Sequence, residues 1–106
     1  MKRIILDENL PQPLRHEFCN HDAVTVGFMG WSGTQNGDLI KLIDGEFDIL
    51  VTGDQNLRYQ QNFKDRRISI IELPYTRLDQ LLPLIDQIKD AIEVSSVGSY
   101  IQIKQV

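Results

Sequence analysis

Three acids stand next to apolar runs in this chain. Asp7 follows Ile4-Ile5-Leu6, Asp54 comes soon after Ile49-Leu50-Val51, and Asp38 opens an amphipathic stretch. A short apolar run that stops at a carboxylate reads as a buried parallel strand delivering that acid to the carboxyl edge of a sheet, where open α/β sheets bind ligands. Carboxylates gathered there repel one another and lose hydration, and a divalent cation is the commonest compensation. Oxygen ligands with no His or Cys nearby suit Mg²⁺ or Mn²⁺ rather than zinc. Water held by such a cation can attack a phosphodiester while the metal stabilises the developing charge. Each acid also has a plainer reading. Asp38 can serve the positive end of its helix, worth about 0.3–1 kcal/mol. Asp54, in Thr52-Gly53-Asp54-Gln55-Asn56, can be a turn residue bonding its own backbone, and so can Asp7. Their joint placement favours a shared site.

The elements that must position these acids follow from the apolar pattern. Ile4–Leu6 reads as a strand buried on both faces, because its apolar residues are consecutive. Asn9 can cap a helix whose first turn holds Pro11 and Pro13, whose stripe is Leu14 and Phe18, and which stops near Asn20. Ala23–Val26 is a second strand, and the glycine-rich segment 27–34 is a loop with large apolar tips at Phe28, Met29 and Trp31. A second helix carries Leu39, Leu42 and Ile43 on one face and stops at Gly45. Phe47–Thr52 and Ile68–Leu73 are further strands, the latter ended by Pro74. Thr76 offers a cap to a helix with the stripe Leu78, Leu81, Ile85, Ile88 and Ile92, in which Pro83 either kinks the helix or marks its true first turn. The alternating tail Tyr100-Ile101-Gln102-Ile103 suits a last strand at a sheet edge. Strands alternating with helices predict a single α/β domain over residues 1–106. It is a three-layer sandwich around a mostly parallel, doubly wound sheet of about five strands, with helices on both faces and right-handed crossovers.

The bulk composition narrows the function classes. A chain of 106 residues with 42% hydrophobic residues can build a core without disulfides. The single cysteine, Cys19, gives no disulfide framework, and a reducing cytoplasm is the expected compartment. The start Met1-Lys2-Arg3-Ile4 does not read as a signal peptide, and no apolar run approaches the roughly 20 residues of a membrane span. A net charge of −4 argues against coating nucleic acid through the overall field, yet it allows an acidic cleft with a basic rim. Arg58, Lys64, Arg66 and Arg67 follow Asp54 and are the candidates for that rim, with a solvated loop as the equally weighted alternative. His16, His21 and Cys19 lack partners that would activate them and read as helix-end or packing residues. Phe28, Met29 and Trp31 pack under their loop, stack on an unpaired base, or form a protein contact.

Leu6-Asp7-Glu8-Asn9-Leu10-Pro11, then Gly37-Asp38-Leu39-Ile40, then Val51-Thr52-Gly53-Asp54, resembles the small PIN-like ribonucleases of bacterial toxin–antitoxin pairs. The likeness spans most of the chain, including the Leu73-Pro74 break and the leucine-rich helix after it; the Asp-Glu-Asn-Leu-Pro string is its most specific part. It implies a PIN-like fold, RNA cleavage with Mg²⁺ or Mn²⁺ at strand-end acids, and a cognate antitoxin that blocks the site. Asp7, Asp38 and Asp54 would hold the metal, and Glu8 would support them. Asn56 would orient water or phosphate, while Arg58, Lys64 and Arg67 would meet RNA. A homodimer is a further expectation. The chain departs from the family around the third motif, where Arg usually precedes the Asp and Lys, Asp and Phe follow it; here stand Gly53, Gln55, Asn56 and Leu57. That departure motivates a rival, a PIN-like shell that binds a partner without catalysis. Another rival is a receiver-type phosphoacceptor domain, which also has an acidic pair after its first strand and an Asp after its third. A receiver further needs a hydroxyl residue after strand four and a lysine after strand five; here Leu73-Pro74 and Lys104 occupy those places.

Overall fold

The computed structural model describes residues 2–55 and 66–104. Five strands form one sheet: β1 (Arg3–Leu6), β2 (Asp22–Thr25), β3 (Ile49–Thr52), β4 (Ser69–Glu72) and β5 (Tyr100–Gln102). Their order is β2-β1-β3-β4-β5 and every pairing is parallel. The chain steps from β1 to β2 on one side and then crosses to β3 on the other. The β1/β3 boundary is therefore the point where strand order reverses, and the crevice outside the carboxyl ends there is where such sheets bind ligands.

Two apolar layers cover the sheet. Ile4, Leu6, Ile49, Val51 and Ile71 face one layer, built by Leu14 and Phe18 together with Leu81, Leu84, Ile88 and Ile92. Ile5, Leu50 and Ile70 face the other, built by Leu39, Ile40 and Ile43 with Phe47. Successive strand residues point to opposite faces, so a stretch buried on both must be apolar without a break, as Ile4–Leu6 of β1 and Ile49–Val51 of β3 are. The helix α1 (Asn36–Ile43) buries Leu39, Ile40 and Ile43, whereas Leu42, expected on that face, is exposed. Asp44 closes it and Gly45 follows with φ +89°.

The first helical segment, Gln12–Phe18, is a 3₁₀ helix without a side-chain cap. The Asn9 side chain expected to cap it accepts a hydrogen bond from the Gly53 amide instead, at 3.3 Å. Thr76 likewise does not cap α2 (Leu78–Leu81), whose N-cap residue is Arg77 and which has no side-chain cap. Pro83 kinks the long C-terminal helix, which runs as α2, a 3₁₀ turn at Leu82–Leu84, and α3 (Ile85–Val94).

The crossovers do not all share one hand. The 3₁₀ helix between β1 and β2 and the α2–α3 run between β4 and β5 lie on the same face. The first connection moves toward the β2 edge and the last toward the β5 edge, so the two have opposite hands. The short 3₁₀ helix leaves much of that face uncovered, and the stripe of α3 fills it. The end of α3 is fixed by Lys2, just ahead of β1, whose Nζ donates to the Ile92 carbonyl, to the Ser95 carbonyl at 3.3 Å and to Ser95 Oγ at 3.0 Å. A cation on the last carbonyls of a helix satisfies acceptors and meets the negative end of the dipole. Lys2→Met keeps the aliphatic stem and removes those bonds. It is expected to destabilise the protein by about 1–2 kcal/mol, read as a lower urea midpoint with an unchanged slope.

Candidate active site

Asp7 sits one residue past β1, where its amide still donates to the Val51 carbonyl at 2.9 Å. Its side chain is only 7% exposed. Both carboxylate oxygens are held: Oδ1 accepts from the Glu8 amide at 2.8 Å, and Oδ2 accepts from the Thr52 hydroxyl at 2.7 Å. Burial pushes the Asp7 carboxyl above the ordinary carboxylate range; these two hydrogen bonds work against the rise, and the negative charges of Glu8 and Asp54 add to it.

Thr52 is the residue that sequence reading missed. It is fully buried at the end of β3, and while its hydroxyl donates to Asp7 it accepts from the Asp54 amide at 3.0 Å. One oxygen thus holds the Asp7 carboxylate and the backbone at Asp54. The available signal was a lone hydroxyl closing the otherwise apolar run Ile49-Leu50-Val51-Thr52.

Glu8 is exposed, and its carboxylate accepts from the Gly33 amide at 3.1 Å, tying the 27–34 loop to the end of β1. Asp38 is exposed on the first turn of α1. Because α1 leads into a parallel strand, that turn lies at the same carboxyl edge, but the charges acting on Asp7 are those of Glu8 and Asp54. Among the described residues, no three His, Cys, Asp or Glu side chains come together as a metal-binding group. Of the expected acids, Asp54 acts electrostatically on Asp7, and Asp38 lies at the same edge on the first turn of α1. The donor chemistry still fits a hard cation, since Mg²⁺ commonly takes one or two carboxylates and keeps its waters.

Asn56, Arg58 and Lys64 lie outside the described residues. Arg67 stands two residues ahead of β4 and lines a hollow of about 450 Å³ with Lys2, Asp48 and Ser95 at the amino edge. A parallel sheet puts residues just before a strand and residues just after one at opposite edges, so Arg67 does not rim the Asp7 hollow. That smaller hollow, about 290 Å³, opens at the carboxyl edge between Asp7, Glu8, Gln12, Thr25 and Phe28. Glu72, one strand over from Thr52, is buried and accepts from the Tyr100 hydroxyl at 2.8 Å.

Gly53 has a local reason. A Cβ there would stand 2.7 Å from Thr76 Cγ2 and 3.5 Å from the Tyr75 carbonyl oxygen. Thr76 fills the space that a side chain at this position would need. Compared with known protein families, with characterised proteins and with solved structures, the chain matches none. Among the described residues, no helix is long and apolar enough to cross a membrane.

Two outcomes are expected. A carboxyl whose folded pKa is raised gives full stability while protonated and loses it as pH climbs from the unfolded value through the folded one. Asp7→Asn should therefore gain on wild type in thermal stability as pH rises above the ordinary carboxylate range of about 4, and a gap that shrinks with rising pH would contradict this. Gly53→Ala should cost about 1 kcal/mol or more by overpacking, and adding Thr76→Ser, which removes Cγ2, should recover part of the loss in a double-mutant cycle.

Proposed function

We propose that the chain is a metal-dependent endoribonuclease of the PIN-like kind, the toxin half of a toxin–antitoxin pair, with Asp7 and Asp54 at its centre. The observation that carries this reading is a carboxylate buried at the β1/β3 reversal with two further acids acting on it. Two acidic neighbours and lost hydration make an ionised carboxylate costly in that placement, and a cation there would offset both. Mg²⁺ or Mn²⁺ bound at this point supplies an activated water and stabilises charge on the phosphoryl group. The chain's own residues prepare the place. Thr52 and the Glu8 amide fix the orientation of Asp7, Thr52 also sets the backbone at Asp54, and Glu8 holds the neighbouring loop. Asp38 joins from the first turn of α1 as an outer acid. In this reading Asn56 and Arg58 serve water and RNA phosphate, and a cognate antitoxin acts by covering the carboxyl edge.

The test is cleavage of single RNA species with Mg²⁺ or Mn²⁺ and with chelator. Asp7→Asn and Asp54→Asn are each expected to lower kcat by about a hundredfold or more while the fold persists. Full activity in both variants, or in chelator, overturns the reading. Tight binding of a neighbouring gene's product without any cleavage would instead identify a non-catalytic binding module.

The strand order also supports a second reading. It is the order of flavodoxin-like sheets, among them receiver domains, with Asp7-Glu8 after β1 and Asp54 after β3. Against it, buried Leu73 and Pro74 follow β4 where a hydroxyl is needed. A small-molecule phosphodonor that labels Asp54 would favour this reading over the nuclease.

A further inference from the structure

Phe28 is 75% exposed, and its ring borders the same hollow as Asp7. A single exposed apolar side chain is ordinary and by itself calls for no explanation. The backbone beneath this one is different, because it is tied at every step. The Phe28 amide donates to the Thr25 hydroxyl at 3.0 Å, and the Met29 amide donates to the Thr25 carbonyl at 3.2 Å. The Gly30 amide donates to the Gly27 carbonyl and the Trp31 amide to the Val26 carbonyl, both at 3.1 Å. Met29 and Trp31 turn inward onto the α1 layer, where Trp31 meets Phe47 edge-on with ring centroids 6.4 Å apart. Glu8 secures the far side of the loop through Gly33. Two of the three large side chains anchor the loop, and the third is held out over the hollow. Its rotamer entropy is small for the area it offers, as suits a contact surface.

The electrostatics of the hollow say what that surface meets. Asp7 and Glu8 line the hollow and repel phosphate, so a nucleic acid gains little there through its backbone alone. A neutral contact to a base escapes that repulsion, and every base has a face that stacks on an aromatic ring. We propose that Phe28 is the platform on which an unpaired nucleobase stacks, placing the adjoining phosphodiester at Asp7. The inference rests on the nuclease reading and adds to it the residue that selects an unstacked nucleotide. A base inside a duplex already has both faces covered.

The experiment is equilibrium binding of a dye-labelled single-stranded RNA oligonucleotide to the full chain carrying Asp7→Asn, which removes the buried charge and silences cleavage. Adding Phe28→Ala is expected to weaken binding roughly five- to a hundredfold, and Phe28→Trp to retain it. Stacking releases no counterions, so the slope of affinity against salt should be the same with and without the ring. The melting temperature should not move, because the ring is in solvent. A duplex of the same sequence should bind more weakly and be indifferent to Phe28. Equal affinity of the Ala and Phe forms for the single strand overturns the proposal, as does absence of measurable single-strand binding or an equal loss on the duplex. Cleavage by wild type is scored separately. Cleavage without a Phe28 effect removes this inference alone, and a Phe28-dependent affinity without any cleavage removes the nuclease and leaves the base platform standing.

Discussion

A carboxylate taken out of water at the end of β1 is the constraint around which this structure is arranged. Losing hydration is costly for a charge, and only specific hydrogen bonds make it tolerable. The Thr52 hydroxyl supplies one of them from the neighbouring strand. That depends on register: Leu6 lies opposite Val51, so the residues following each strand position meet as Asp7 and Thr52. A slip of one residue would reverse the facing of every side chain on β3 and withdraw the hydroxyl. The apolar layers on both faces hold the register, and they also supply the poorly polar surroundings that keep the carboxyl raised.

Much of the sheet was legible because a buried parallel strand has an unbroken apolar sequence. Ile4-Ile5-Leu6 and Ile49-Leu50-Val51 announced two neighbouring strands and the edge where Asp7 and Asp54 emerge. Helix details were less accessible. Asn9 and Thr76 have the chemistry of caps, but tertiary contacts with Gly53 gave both of them other work. Leu42 shares the spacing of a buried stripe, yet Ile40 takes the inward place. The coupling through Thr52 was hidden because a terminal hydroxyl looks the same whether it meets water or a carboxylate. The face chosen by α3, and with it the hand of the last crossover, depends on where uncovered apolar surface remains, which no local pattern encodes.

The sheet also sorts charge by position. Residues just past the strands bring Asp7 and Asp54 to one edge, while residues just before them bring Lys2 and Arg67 to the other. Arg67 was readable this way from the sequence alone, since it stands immediately ahead of an apolar run. Lys2 has a structural use in closing α3, so the basic character of the amino edge is explained in part without any ligand.

The end of α3 is held at Lys2, just ahead of β1, and the Ser95–Ser99 span then returns the chain to β5 at the edge beside β4. A molecule whose last strand detached would take Ile101 and Ile103 out of one apolar layer and would uncover the hydrogen-bonding margin of β4, an open template to which an extended segment of another chain could add itself.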